Sequence, residues 1–138
     1  MRRGVVLRAA LAGVALTGAV LVVPAWPGVP EPAAPASCDR ERGERVFTKC
    51  AICHAREAAL PSPVGPNLAG VVGRQSATLA QFKYTKVLRE LRQRWTPELI
   101  DRFLVDPQAF APGTAMAFTG LKDADDRAAV ICLLEHPK

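Results

Sequence analysis

Apolar positions recur at helical spacing in the second half of the chain. Val87, Leu88 and Leu91 mark one helix within Tyr84–Gln93. Leu99, Ile100, Phe103 and Leu104 form the stripe of a second, which Thr96 caps with Pro97 at its first position. That helix stops before Asp106-Pro107, because a residue preceding proline disfavours helical backbone. Val130, Ile131, Leu133 and Leu134 give the last helix its apolar face, with Asp123 or Asp125 as its start. Asp39–Lys49 is charged at most positions, with Val46 and Phe47 as its apolar contacts, and reads as a helix running into Cys50. No segment alternates with period two, so strands are not expected. The pattern predicts an all-α domain of three or four short helices.

The connections are long for so small a domain. Residues 57–73 hold Pro61, Pro63, Gly65, Pro66, Gly70 and Gly73, and 108–120 hold Pro112, Gly113 and Gly120. Loops of that length in a small domain wrap something or perform a function.

The first part of the chain has a different character. Arg2, Arg3 and Arg8 precede an uncharged, mostly apolar run from Ala9 to Val23. A basic start and an apolar run form an export leader, and Val23-Pro24-Ala25 is an acceptable cleavage site. Residues 1–25 are either a cleaved signal peptide or an uncleaved anchor. The anchor needs residues 4–23 to approach the roughly 20 apolar residues that span a bilayer. Residues 26–38 continue a proline-rich linker, leaving 39–138 as the folded domain. The formal charge of the whole chain is +5. Setting aside Arg2, Arg3, Arg8 and Glu31, the domain carries 15 Lys/Arg against 12 Asp/Glu. Positive charge gathers at Lys83, Lys86, Arg89, Arg92 and Arg94 against Glu90. This is either a partner-facing patch or a solvated helix face. Nothing resembles a nucleic-acid module.

Cys50-Ala51-Ile52-Cys53-His54 is the chemical centre of the sequence. A thioredoxin-like dithiol needs a βαβ setting, and no strands are expected. A structural zinc site needs four ligands, whereas Cys38 and Cys132 are isolated; zinc is the lesser reading. C-x-x-C-H is the attachment motif of c-type haem. Two thiols at that spacing reach both vinyl groups of one haem, and the following histidine reaches the iron. Export favours this reading, since c-type haem is attached outside the cytoplasm. For the second axial ligand the candidates are few: Met1 lies in the leader and His136 near the end, leaving Met116. Met116 stands in a Gly/Pro loop, APGTAMAFTG, able to press a side chain onto an open metal face. His54 and Met116 are thus the expected metal ligands of a covalently bound haem c. Such a Met/His pair is an electron-transfer ligation.

From residue 43 to 134 the chain resembles the class I c-type cytochromes, of the mitochondrial and bacterial c2 kind. GERVFTKCAICH resembles their first helix and haem motif. GPNLAGVVGR resembles the loop whose proline carbonyl accepts the proximal histidine's ring N–H, a role that falls on Pro66. PGTAMAF resembles the methionine loop, and FKYT and RWTPELIDRFLVDP also align. The resemblance implies a class I cytochrome c fold. It also implies that Arg74, Tyr84 and Trp95 surround the haem propionates. There are departures. Phe103 stands where the family often has tyrosine, Leu88 replaces a distal asparagine, and Leu133 replaces the aromatic that packs near Gly43. Gln108, Ala109 and Ala115 replace lysines beside the methionine loop, while Lys49 is retained. A less cationic haem edge follows, with weaker steering toward an acidic partner.

The terminal helices of this family pack together, and Cys38 and Cys132 have no counterpart in it. Either they form a disulfide in the oxidising compartment, or Cys132 is buried and Cys38 exposed. His136 is expected at the surface. The implied function is a monomeric one-electron carrier, not an enzyme. It would meet redox protein partners transiently, between a quinol-oxidising complex and a terminal oxidase or reaction centre. It would be periplasmic or exported, with a membrane tether if residues 4–23 are kept. The alternatives are a dedicated cytochrome subunit of a periplasmic dehydrogenase and a peroxide-active haem enzyme.

Overall fold

The computed structural model describes residues 38–137; the leader and most of the linker lie outside the described residues. Five helices follow one another: α1 (Arg40–Ala51), α2 (Lys86–Glu90), α3 (Pro97–Val105), α4 (Pro107–Phe110) and α5 (Ala124–Glu135). The described residues contain no strand; one isolated antiparallel bridge joins Gln75 and Arg94. The fold is all-α, as expected, with five helices rather than three or four. None of the described helices is long and apolar enough to cross a membrane.

The helix starts are written in the sequence. Asp39 caps α1 by accepting from the Arg42 N–H at 2.8 Å. The Thr96 hydroxyl accepts from the Leu99 N–H at 3.2 Å, with Pro97 opening α3. Asp123 caps α5 by accepting from the Asp126 N–H at 2.9 Å. Each cap satisfies an amide that the first turn leaves without a partner.

Two local expectations need correction. Residues 108–120 do not form one continuous loop, because α4 already occupies Pro107–Phe110. The Asp106 carboxylate accepts from the Ala109 N–H at 3.0 Å, so Asp-Pro ends one helix and starts the next. The helix expected over Tyr84–Gln93 also stops early, at Glu90. Arg92 takes a left-handed conformation, φ 48°. Beyond it the backbone is captured by residues 73–76: the Ser76 N–H donates to the Gln93 carbonyl and the Trp95 N–H to that of Arg74. Tertiary pairing overrides the helical periodicity there.

α1 and α5 make the principal helix–helix contact. Val46 and Phe47 from α1 meet Val130, Ile131, Leu133 and Leu134 in one apolar cluster, completed by Ile100, Phe103 and Leu104 of α3. The crossing is close at Gly43. A Cβ there would stand 2.6 Å from the Ala129 carbonyl oxygen and 3.1 Å from the Leu133 Cβ. Leu133 therefore does pack beside Gly43, as expected. Polar links fix the rim of the crossing. Arg42 reaches Asp126 at 2.7 Å, Asp123 at 2.9 Å and Asp125 at 3.3 Å. Arg40 donates to the His136 carbonyl at 2.6 Å.

Cys38 and Cys132 form a disulfide, with Cα atoms 5.7 Å apart and a sequence separation of 94. The bridge joins Cys38, two residues ahead of α1, to the last turns of α5. His136 is exposed, as expected. Cross-linking so long a loop restricts the unfolded chain. Replacing both cysteines by serine is expected to lower unfolding free energy by about 3–5 kcal/mol. Urea unfolding of the haem-loaded protein measures this; an unchanged midpoint would show that the bridge adds nothing.

Candidate functional site

α1 delivers Cys50 to the site, one residue before the helix ends. The backbone then folds back. The Cys53 and His54 N–H groups both donate to the Cys50 carbonyl, at 3.0 and 2.8 Å. The chain thus turns at the second thiol, and His54 lies directly beyond the turn. Cys50 and Cys53 are free thiols, not bonded to each other. Burial pushes the Cys50 thiol up to about 11 from 9.0, with Cys53 adding to the shift and Lys49 opposing it.

The first loop builds the seat of His54. The Val64 and Gly65 N–H groups donate to the Cys53 carbonyl at 3.2 and 2.8 Å, and the Leu68 N–H to the Ala55 carbonyl at 2.8 Å. The Ser62 hydroxyl accepts from the Ala55 N–H at 2.9 Å. Asn67 donates to the Glu57 and Leu60 carbonyls, both at 2.9 Å, and accepts from the Ala69 N–H at 2.7 Å. The result is a loop closed on itself, with Pro66 aimed at the histidine.

His54 is buried, 9% exposed. Its Nδ1 donates to the Pro66 carbonyl at 2.7 Å. A carbonyl can only accept, so the proton sits on Nδ1 and Nε2 keeps its lone pair. Burial lowers the ring's pKa, partly offset by the Pro66 bond, so the imidazole stays neutral. A metal needs that form. Gly65 is the wall of this seat. A Cβ there would stand 2.2 Å from His54 Cε1 and 2.6 Å from Nδ1. Only glycine admits the ring.

Arg74 lies near Tyr84, and its carbonyl accepts from the Trp95 N–H at 2.9 Å. Arg74 donates to the Ala69 and Asn67 carbonyls, each at 2.9 Å, and so ties down the loop that presents Pro66. Burial lowers its pKa, and the nearby Tyr84 opposes this. The Tyr84 phenol is raised by burial, against Arg74 and a Leu79 backbone hydrogen bond. Trp95 is fixed through its backbone: the Gly73 N–H donates to its carbonyl at 2.8 Å. Its ring meets Phe103 edge-on at 5.2 Å, and Phe103 meets Phe110 at 5.5 Å.

Met116 sits in the second loop, half-buried against the shared core. Gln108 clamps that loop from α4, donating to the Thr114 carbonyl at 3.1 Å and the Met116 carbonyl at 3.0 Å. The Thr114 hydroxyl accepts from the Met116 N–H at 3.3 Å.

Several contributors escaped the sequence reading. Gln108 had only been noted as a lost lysine, and Asn67 not at all. The hydroxyls of Ser76 and Thr85 are buried with no hydrogen-bond partner. Buried hydroxyls without partners are costly. They neighbour Arg74 and Tyr84 in sequence, where the resemblance places haem carboxylates, and such groups would satisfy both. Ser and Thr occur everywhere, so the sequence held no signal for them.

The residues present fit a covalently held haem: two free thiols, a neutral buried imidazole with a free nitrogen, a glycine wall, and two orphaned hydroxyls close in sequence to the half-buried Arg74 and Tyr84. Residues 40–136 match the protein-family profile for cytochrome c. "Cytochrome c-type cyt cy" of Rhodobacter capsulatus is 45% identical over 97 residues, 70% of this chain. The chain spans about half of that relative, 48% of its length. Cytochrome c of Chlamydomonas reinhardtii is 42% identical over 99 residues, covering 71% of this chain and 88% of the relative. Cytochrome c of Gossypium barbadense is 38% identical over 99 residues, at 71% and 89%. The chain belongs to the cytochrome c family, whose members carry covalently bound haem c and transfer electrons.

Proposed function

We propose that this chain is an exported one-electron carrier in which Cys50 and Cys53 anchor the haem and His54 and Met116 ligate its iron. The observation that carries the proposal is the His54 seat. The Pro66 carbonyl fixes the proton on Nδ1, the Gly65 wall fixes the plane of the ring, and Nε2 is left bare. When bound, haem c supplies a one-electron iron couple, whose potential a methionine ligand raises.

The protein's own part is to hold the same geometry in both oxidation states. The Pro66 bond orients the histidine. Gln108 and Thr114 hold the methionine loop by its backbone, so that the thioether is presented from a fixed frame. Arg74, Tyr84 and Trp95, with Ser76 and Thr85, would receive the haem carboxylates. Phe103 fills its position with an apolar ring and gives the methionine sulfur no hydroxyl donor. The apolar cluster of α1, α3 and α5 keeps water from the site. An exported domain of this kind would pass electrons from a quinol-oxidising complex to a terminal oxidase or reaction centre. If the leader is retained, the proline-rich linker would extend up to roughly 40 Å, at 3.1 Å per residue, from a membrane tether.

Met116 is tested by substitution. The wild-type haem protein is expected to bind neither cyanide nor carbon monoxide rapidly near neutral pH. Met116→Ala should bind both and lose its sulfur–iron absorbance. Unchanged absorbance in the variant would remove Met116 from the assignment, and rapid ligand binding by the wild type would favour a peroxide-active enzyme instead.

Gly65 is tested by adding one methyl group. Gly65→Ala should push the imidazole off the Pro66 carbonyl and cost about 1–3 kcal/mol, the range for overpacking. A shifted His54 ring resonance in the NMR spectrum and a lower urea midpoint are the expected signs. A variant with wild-type values for both would show that the ring does not sit against this wall.

A further inference from the structure

Among the described residues, four large apolar side chains are exposed: Ile52, Leu60, Val64 and Val105. Single exposed apolar residues are ordinary, but a group of them marks an interaction site. Three of the four belong to two segments held side by side. The Val64 and Gly65 N–H groups donate to the Cys53 carbonyl, joining the Ile52 turn to the first loop. Asn67 draws the Leu60 carbonyl into the same loop at 2.9 Å. Ile52 is 74% exposed, Val64 70% and Leu60 52%. Beside them lies a shallow groove of about 300 Å³, lined mostly by apolar residues such as Phe47, Leu60, Pro61 and Pro63, together with His54, Arg56 and Glu57.

Charge is almost absent here. Residues 58–73 contain no Asp, Glu, Lys or Arg, and neither do residues 107–121, which carry Met116. Arg56 is turned away from solvent. It pairs with Glu44 at 2.7 Å, lies over the Phe47 ring at 5.6 Å, and its side chain is 11% exposed. Lys49 and Glu57 remain as one exposed charge of each sign. Lys83, Lys86, Arg89, Arg92 and Arg94 are all exposed, but they belong to α2 and its flanks.

We propose that Ile52, Leu60 and Val64 form the docking face for a redox partner whose own contact surface is uncharged and apolar. The inference rests on the electron-carrier reading and names the chemistry of its partner. Ile52 stands between the two haem-anchoring cysteines, one bond from Cys53 in the chain. A partner seated on it is therefore next to a covalent link to the cofactor. An acidic partner would gain nothing from a face without net charge, whereas an apolar one needs no steering. Encounters of this kind are small, brief and insensitive to salt.

A second copy of the chain presents such a surface and serves as the probe. Electron self-exchange is measured by NMR in a half-reduced sample across ionic strengths from ~10 to ~300 mM, a range over which screening changes strongly. The expected change is less than about 3-fold, because no net charge faces the contact. The exposed-site variant Ile52→Lys with Val64→Lys should slow exchange about 10-fold at low salt, and added salt should restore it. In the fully reduced protein, where no electron moves, raising the concentration should shift the amide resonances of Ile52, Leu60 and Val64. Wild-type exchange that climbs about 10-fold with salt would overturn the proposal. So would a double-lysine variant that exchanges normally, or faster exchange on replacing Lys83 and Arg89 by glutamine, which would move the contact to the cationic strip. Loss of the six-coordinate haem spectrum in the wild type would instead sink the carrier reading. The resonance shifts test the face independently of that.

Discussion

The hydrogen bond from His54 to the Pro66 carbonyl decides what the site can be. It selects one tautomer, and that tautomer leaves a lone pair where a metal can take it. The bond depends on a loop of 17 residues being rigid. That rigidity has identifiable sources: Cys53 accepts from two loop amides, Asn67 makes three internal bonds, and Arg74 spans two carbonyls. The bond also requires that nothing intrude between ring and backbone, which is why position 65 has no side chain. The long loops of this small domain are therefore a scaffold in their own right.

Helices supply the other half of the frame. α1 brings the cysteines, and α5 holds α1. Their crossing is tight at Gly43, apolar at Leu133 and Val130, ionic at Arg42, and covalent at Cys38–Cys132. These contacts differ in kind, so conditions that weaken one spare the others. Salt screens the exposed arginine cluster, cooling weakens the apolar term, and neither touches the disulfide. A leucine at position 133 buries less area than an aromatic would. The disulfide acts on the same pair of helices, opposing their separation by another route.

The legible parts of the sequence were those with local chemistry. The caps follow from one side chain and one amide, so position predicted Thr96 and narrowed the last cap to Asp123 or Asp125, while Asp39, read as helix, proves to be the cap of α1. CAICH was readable because attachment fixes both spacing and residue type. Met116 stands as the proposed second ligand because the sequence leaves no rival. What failed was decided across the chain. α2 is cut short because residues 73–76 capture the backbone near Gln93, and no periodicity in 84–93 encodes that. α4 was hidden by reading Asp106-Pro107 as a stop only, though the same pair also caps a new turn. Ser76, Thr85, Asn67 and Gln108 act through partners distant in sequence, or through burial, and neither can be seen in a single string of letters.

Charge distribution links the scaffold to its use. A domain with more Lys and Arg than Asp and Glu tends to meet acidic surfaces. Here, however, residues 58–73 and 107–121, which carry Pro66 and Met116, hold no Asp, Glu, Lys or Arg, and Glu57 is the one charge at the edge of the first loop. Part of this is forced. A loop closed on its own carbonyls beside a buried imidazole has little room for a solvated charge, and a fixed charge close to the iron would shift its potential. Exposed positions are under no such constraint. Ile52, Leu60 and Val64 could carry lysine without disturbing any hydrogen bond described above, since only their backbones are engaged. Apolar side chains at all three leave at least half of their surface in water, which costs solvation. A surface that gains from them when another molecule covers it accounts for their presence, and its adjacency to Cys53 makes electron transfer the natural reason for that contact.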